Sequence, residues 1–232
     1  LYTKDGVRRY GFHGTSHRYV SKRAYEMLNI KPEGVKMITC HIGNGGSITA
    51  IKDGKSVDTS MGMTPLEGLV MGTRAGDIDT GAVTYLMERE NYDIKAVSNI
   101  LNKQSGLFGI SGVTSDMRDL RKAISEGNER AKLALDMFVY RIKKYIGSYI
   151  AALGGVDVIV FTGGIGENVN VVRDAICDGF ECFGIKLDKN ANDEAIGVER
   201  NISAKDSKVT VLAIPTDEEF MIASDTLDIV KK

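Results

Sequence analysis

Two of the chain's three histidines, His13 and His17, fall in Arg8-Arg9-Tyr10-Gly11-Phe12-His13-Gly14-Thr15-Ser16-His17, and the third opens His41-Ile42-Gly43-Asn44-Gly45-Gly46-Ser47. A lone imidazole is by default a satisfied structural group. His13, however, stands between an aromatic residue and a glycine, which suits it to donate a hydrogen bond toward phosphoryl oxygens at a partly apolar pocket wall. His17, one helical turn later, is expected only to orient the loop. The glycines after His41 let backbone amides approach phosphate oxygens closely. Asn44-Gly45 alone would equally signal a plain hairpin.

A second glycine turn, Thr162-Gly163-Gly164-Ile165-Gly166-Glu167-Asn168, follows the apolar run 156–161 and precedes a helix expected to begin near Asn168. Amides and a positive dipole end in that position attract an anion. It is no dinucleotide fingerprint, because Val169 stands where the third glycine or alanine is needed. A Walker A loop is missing too, since Gly54-Lys55-Ser56 has Thr49 at the place of its first glycine. Nucleotide binding must use another scheme. Arg74, in Gly72-Thr73-Arg74-Ala75-Gly76-Asp77-Ile78-Asp79, either pairs with Asp77 or Asp79 in a surface turn or offers its planar fork to a phosphoryl group or a carboxylate. Glu218 and Glu219 open the last helix, where the dipole favours acids without any functional reason, yet one of them could reach a magnesium ion through water.

Composition narrows the setting. Lysine and arginine total 30 against 31 acids, a formal charge of −1 with no overall field for nucleic acid or anionic membrane, so no nucleic-acid or membrane partner is expected. Cys40, Cys177 and Cys182 lack metal-type spacing and read as reduced thiols in a cytoplasmic protein. The first residue is leucine, and no signal-peptide core follows it, so a fragment or processed product is expected.

These residues need elements to hold them. Thr15 or Ser16 is expected to cap a helix through Leu28 that Pro32-Glu33-Gly34 breaks. Three strands follow, 36–41, an alternating 47–52 and 56–60, the last two joined by Asp53-Gly54. Helices are expected at 80–90, 94–103, 116–125 and along a run in which Leu135, Phe138, Ile142, Tyr145, Tyr149 and Ala152 recur at helical spacing. A strand at 209–214 and a helix at 216–230 close the chain. Without the helices of 80–125 the order is β-β-β-α-β-α-β-α: an α/β fold with a mixed sheet flanked by helices.

The loop around His13, the turn after His41 and the turn at 162–168 together resemble the acetate kinases and their short-chain acyl kinase relatives. The resemblance implies a ribonuclease-H-like fold of the actin, Hsp70 and sugar-kinase superfamily, with residues 1–34 a segment from the domain junction and 35–232 a C-terminal nucleotide-binding domain carrying a helical insertion at about 80–125. It implies transfer of the ATP γ-phosphoryl group to acetate, giving ADP and acetyl phosphate, with Mg²⁺ or Mn²⁺. His13 and Arg74 would stabilise the transition state, and Phe12 and Pro65 would shape the methyl pocket. His41, Ile42, Gly43, Asn44 and Gly45 would form the phosphate turn, Asp116, Met117 and Arg118 a nucleotide-side segment, and Gly164, Ile165, Gly166, Glu167 and Asn168 the adenosine-side turn. Glu218 corresponds to the metal-linked glutamate, with Glu219 the alternative; Asp217 departs from the asparagine common before that pair. The family's first domain, with its glycine/serine-rich loop and further arginine and aspartate, has no counterpart here, so the chain alone is expected to be inactive. A homodimer through the long helix is also expected. The rival readings are a propionate kinase, a non-catalytic nucleotide-binding module and a purely structural assembly domain.

Overall fold

The computed structural model describes residues 1–231. In chain order its elements are α1 (Tyr2–Asp5), α2 (Gly14–Leu28), β1 (Lys36–Ile42), β2 (Gly46–Lys52), β3 (Lys55–Thr59), α3 (Thr80–Glu90), α4 (Ile94–Lys103), α5 (Gly106–Ser111), α6 (Met117–Ser125) and α7 (Glu129–Leu153). Then come β4 (Val158–Thr162), α8 (Gly163–Asn168), α9 (Asn170–Cys177), a 3₁₀ turn at Glu181–Phe183, α10 (Lys189–Glu194), β5 (Arg200–Asn201), β6 (Thr210–Ala213) and α11 (Glu218–Val230). They form two compact units. The first holds Leu1–Gly11, Gly43–Ser47 and Ser60–Tyr145; the second holds Phe12–Ile42, Ile48–Thr59 and the chain from Ile146 onward.

The second unit is built on a sheet of order β3-β2-β1-β4-β6-β5. β1 runs parallel to β4, and β4 parallel to β6, with Met37 opposite Val158 and Val158 opposite Thr210. Parallel neighbours need long crossovers and helices over both faces, which is why Val-Ile-Val-Phe-Thr of β4 is buried at every position. α2 packs Val20, Ala24 and Tyr25 against Met37, Val158, Val160 and Leu212. The valine, leucine and methionine side chains among these contribute about 1.5–3 kcal/mol each on full burial. Asp53 and Gly54 both take positive φ, 53° and 74°, the two-residue turn that Asp-Gly favours.

The α/β class, the β-meander and the alternating αβ units agree with the sequence reading, and five local expectations need correction. α2 starts at Gly14, with His13 as N-cap in the left-handed region and without a side-chain cap bond, so neither Thr15 nor Ser16 caps it. It ends at Asn29, also left-handed, before the proline is reached. β2 does not alternate: six of its seven residues are buried, because it is an interior strand covered on both faces. β5 adds a two-residue edge strand too short to show a period. In α7 the buried stripe is Ala131, Ala134, Phe138, Ile142, Ile146, Tyr149 and Leu153, while Ala152 is exposed.

In the first unit, helices α3, α4 and α6 begin on Asp79, Asp93 and Asp116, whose carboxylates accept from the amides of Gly81, Ala96 and Arg118. Leu69, Met71, Leu107, Leu120 and Phe138 are fully or almost fully buried there. Among the described residues no helix is long and apolar enough to cross a membrane.

Candidate functional site

The first unit contains a cleft of about 730 Å³ lined by Asn44, Gly45, Thr73, Arg74, Ile94, Lys95, Ser98, Asn99, Asn102 and Lys103. It brings together two groups that the sequence singled out separately, the Asn44-Gly45 turn and Arg74. Neither Asn44 nor Gly45 takes positive φ, so the two-residue hairpin that Asn-Gly signals is not formed. The Gly43 amide instead donates to the Gly45 carbonyl at 3.0 Å, and the Gly72 amide donates to the Asn44 carbonyl at 2.8 Å. A Cβ at Gly72 would stand 1.8 Å from Asn44 Oδ1, so only glycine fits against this turn as it is.

Arg74 is not the surface-turn ion pair that its neighbours suggested. Asp79 is spent on the Gly81 amide. Asp77 accepts from the Gly68 amide at 2.9 Å and from the Tyr145 hydroxyl at 2.8 Å, and Arg141 lies 3.4 Å from it. Burial, and then that carboxylate, raise the Tyr145 pKa above its ordinary value. The Arg74 guanidinium, half-buried, reaches the Pro65 carbonyl at 3.4 Å and Met71 Sδ at 3.8 Å, and it forms no ion pair among the described residues. A permanent cation beside a cleft without a carboxylate is a place for an incoming anion. Its loop is held by α4 and α5: Ala75 donates to Leu101 O, Ser105 to Thr73 O, Leu107 to Met71 O and Phe108 to Gly72 O, all at 2.8–3.0 Å. Thr73 Oγ1 adds a bond to Asn102 O at 2.9 Å.

Asp116-Met117-Arg118 lies elsewhere in this unit. Met117 is buried, and Asp116 caps α6 while Arg118 pairs with it at 3.0 Å. The side-chain and backbone bonds from Arg118 lower the Asp116 pKa to about 2, although Arg118 itself is 88% exposed. Cap and exposed arginine account for both charges locally.

The second unit gathers all three histidines. The rings of His13 and His41 stack with centroids 4.1 Å apart and 17° between their planes, and His17 meets His41 edge-on at 6.3 Å. Ser16 Oγ lies 2.8 Å from His41 Nδ1, and Thr39 Oγ1 lies 2.8 Å from His17 Nδ1. Burial lowers the His17 pKa to about 3, with positive charge on His41 and His13 adding to the effect. Burial and then His13 lower that of His41 to about 4. Both rings are therefore neutral at neutral pH. His13 reaches its place through left-handed backbone, φ 57°, a conformation held by the start of α2. Phe12 and His13 are half-buried.

The glycine turn at 162–168 is itself helical, contrary to expectation: α8 runs from Gly163 to Asn168 and a separate helix, α9, begins at Asn170. Its first amide is not open to a ligand. Glu167 Oε1 accepts from Gly163 N at 2.8 Å, Thr162 Oγ1 at 3.2 Å and Thr216 N at 3.0 Å, tying α8 to the segment that leads into α11. Gly163 has φ 77° and lies against Ile42, where a Cβ would stand 2.9 Å from Ile42 N and O. Buried Arg173 fixes the far side, donating to Gly166 O, Asn192 Oδ1, Asn192 O and Ala195 O. Gly164 and Asn168 remain exposed, and Ile165 and Gly166 are buried.

Asp217 caps α11 by accepting from Phe220 N at 2.8 Å, which leaves Glu218, half-buried, and Glu219, exposed, in its first turn. Among the described residues no group of three or more His, Cys, Asp or Glu is placed to hold a metal. A single carboxylate suits a hard cation that keeps water and takes ligand phosphates, as Mg²⁺ commonly does. The sequence reading missed Thr73, Lys95, Ser98, Asn99, Asn102 and Lys103 of the cleft. The polar spacing along 95–103 was the available signal.

Comparison with known proteins gives the chain's relatives. Residues 1–224 match the acetokinase family. The acetate kinase of Bacteroides thetaiotaomicron is 65% identical over 232 residues, covering all of this chain and 58% of that protein. The crystal structure of Porphyromonas gingivalis acetate kinase superposes with a TM-score of 0.96 at 57% identity over 99% of this chain and 57% of that one. A propionate kinase from Francisella tularensis gives 0.89 at 43% identity, over 96% of this chain and 56% of that one. The chain thus spans little more than half the length of the relatives it matches.

Proposed function

The chain belongs to the acetokinase family, and from that premise we propose that it supplies the C-terminal, nucleotide-binding part of an acetate kinase. The reaction is ATP plus acetate to ADP plus acetyl phosphate, reversibly. An acetate oxygen forms a bond to the γ-phosphorus as the bond to the ADP oxygen breaks, and no proton need be removed from the nucleophile. Such a transfer asks the protein for positioning and charge stabilisation. The observation that carries the reading is Arg74, held rigidly beside the Asn44-Gly45 turn in a cleft lined by no carboxylate.

Arg74 meets charge on the equatorial oxygens, and His13 donates a hydrogen bond to the transferring group. His41, neutral and held by Ser16, serves the phosphate turn with residues 42–45. Phe12 and Pro65 border the acetate methyl. Asp116 and Arg118, on a segment anchored by buried Met117, and the exposed Gly164 and Asn168 of α8 contact the nucleoside; Glu167 acts there by holding α8 in place, since its Oε1 faces inward. Magnesium or manganese would be held by Glu218 and would neutralise charge on the nucleotide phosphates. The reading places the protein in the cytoplasm as a homodimer. Support for the dimer comes from Leu133, Met137 and Tyr140, an exposed stripe on α7 at 52%, 40% and 64%, whereas Ile146 and Tyr149 of the same helix are buried.

Hydroxamate trapping of acyl phosphate tests the function, run in parallel on the 232-residue chain and on a longer enzyme of the relatives' full length that carries it. The longer enzyme should form acetyl phosphate from ATP and acetate faster than propionyl phosphate from propionate. The chain alone should bind ADP weakly and turn nothing over. ADP binding by the longer enzyme without any acyl phosphate would instead make it a non-catalytic nucleotide-binding protein.

A further inference from the structure

We propose that the polar face of α4, with Lys95 and Lys103 toward its two ends, is an anion-recognising wall of the Arg74 cleft that binds phosphoryl oxyanions. Three independent features lead there. The first is spacing. Lys95, Ser98, Asn99, Asn102 and Lys103 lie at offsets of three, four, seven and eight along α4, one face of a helix, and all five line the cleft.

The second is charge. Arg74, Lys95 and Lys103 are the ionisable side chains of the lining, which has no Asp or Glu, in a chain whose formal charge is −1. Neither lysine forms an ion pair among the described residues. Lys103 in the last turn of α4 is favoured by the helix dipole whatever its function. Lys95 is not: it occupies the first turn, where the dipole opposes a cation, and the adjacent Asp93 carboxylate is committed to the Ala96 amide at 2.7 Å. Local helix energetics therefore give no reason for Lys95, and an anion in the cleft does.

The third is rigidity. The bonds from Ala75 to Leu101 O and from Thr73 Oγ1 to Asn102 O join the Arg74 loop directly to α4. Gly106, just past the helix, has φ 61° and comes so close that a Cβ would stand 2.2 Å from Met71 O. The lysines are thus carried on the same body as Arg74, and the Ser98 and Asn99 side chains supply neutral donors between the charges, beside Asn102 Nδ2, which donates to Ser98 O at 2.9 Å. The ligand class is a phosphate ester or anhydride, either the polyphosphate tail of a nucleotide or an acyl phosphate; the physiological choice rests on the kinase reading, but the anion site itself does not.

The test is calorimetric titration of the 232-residue chain with inorganic pyrophosphate, using Lys95→Gln, Lys103→Gln, the double variant and the double Lys→Arg variant, each checked for an unchanged circular dichroism spectrum. Each Lys→Gln should weaken pyrophosphate binding about tenfold, a charge-assisted bond's worth, and the double Arg variant should stay within about threefold of wild type. Wild-type affinity should fall as salt rises. Parallel loss of ADP affinity, with adenosine unaffected, assigns the wall to the nucleotide tail; parallel loss of acetyl phosphate affinity assigns it to the acyl phosphate. Pyrophosphate binding equal in wild type and double Gln variant, or absent in wild type, overturns the proposal. A failed kinase reading looks different: no acetyl phosphate from the longer enzyme while pyrophosphate binding by α4 persists.

Discussion

Replacing Gly72 and Gly106 by alanine, one at a time, separates the cleft's function from its fold. At Gly72 the new Cβ meets Asn44 Oδ1 at 1.8 Å and Cγ at 2.8 Å, the end of an exposed side chain, and the Asn44 carbonyl at 3.2 Å. Asn44 can swing into solvent, and the carbonyl need yield only a few tenths of an ångström. The expected cost is about 1 kcal/mol, at the low end for overpacking. At Gly106 the Cβ meets the Met71 carbonyl at 2.2 Å and the Arg74 carbonyl at 2.8 Å, with φ at 61°. Left-handed backbone costs an alanine about 1–2 kcal/mol. Moving these two carbonyls also disturbs the bonds they accept, from Leu107 N to Met71 O and from Met71 N to Arg74 O, each contributing about 0.5–1.5 kcal/mol, so about 3 kcal/mol or more is expected in all. Urea denaturation measures both losses, and pyrophosphate titration of the folded proteins measures the site. Gly72→Ala should keep most of its stability and lose anion affinity because Asn44 has left the cleft. The reasoning is refuted if Gly72→Ala is as unstable as Gly106→Ala, or if it binds pyrophosphate like wild type.

Stability should fall in mild acid. The folded-state pKa values of His17 and His41, about 3 and about 4, lie below the ordinary 6.5, so the unfolded chain takes up protons that the folded one excludes. The stabilisation is therefore complete above about pH 6.5 and is lost from there down to about pH 4 for His41 and about pH 3 for His17, with a slope approaching about 1.4 kcal/mol per pH unit for each ring. A urea midpoint that stays flat from pH 7 to pH 5 would contradict this. Arg173→Met should destabilise the chain by about 3 kcal/mol or more, because four buried acceptors lose a charged donor. A loss below about 1 kcal/mol in the same assay would mean that water replaces the guanidinium.

The succession of the longer strands along the chain and most helix boundaries could be read because their signals are local: Asp53-Gly54, the apolar run of β4, and Asp79, Asp93 and Asp116 before their helices. The errors arose where a distant group decides. Asp77 looked like a partner for Arg74, but Arg141 and Tyr145, more than sixty residues on, occupy it. The turn after Thr162 looked open because its closing acceptor, Glu167, belongs to the turn and also binds Thr216. His13 gave no sign of its left-handed backbone, since nothing in Phe-His-Gly requires it. The lysines of α4 carried a periodic signal, but a polar face on a helix is ordinarily a solvated one, and only the fold turns it toward Arg74.

Steady-state kinetics of Arg74→Ala in the longer enzyme test most directly whether Arg74 acts on the transferring phosphoryl group. Removing a donor that meets charge developing in the transition state lowers kcat by about a hundred- to a thousandfold. The KM for ATP should change little, and Arg74→Lys should recover little, because a point charge lacks the planar fork. A folded Arg74→Ala enzyme with near-normal kcat would contradict the account and return Arg74 to a structural role beside Pro65 and Met71.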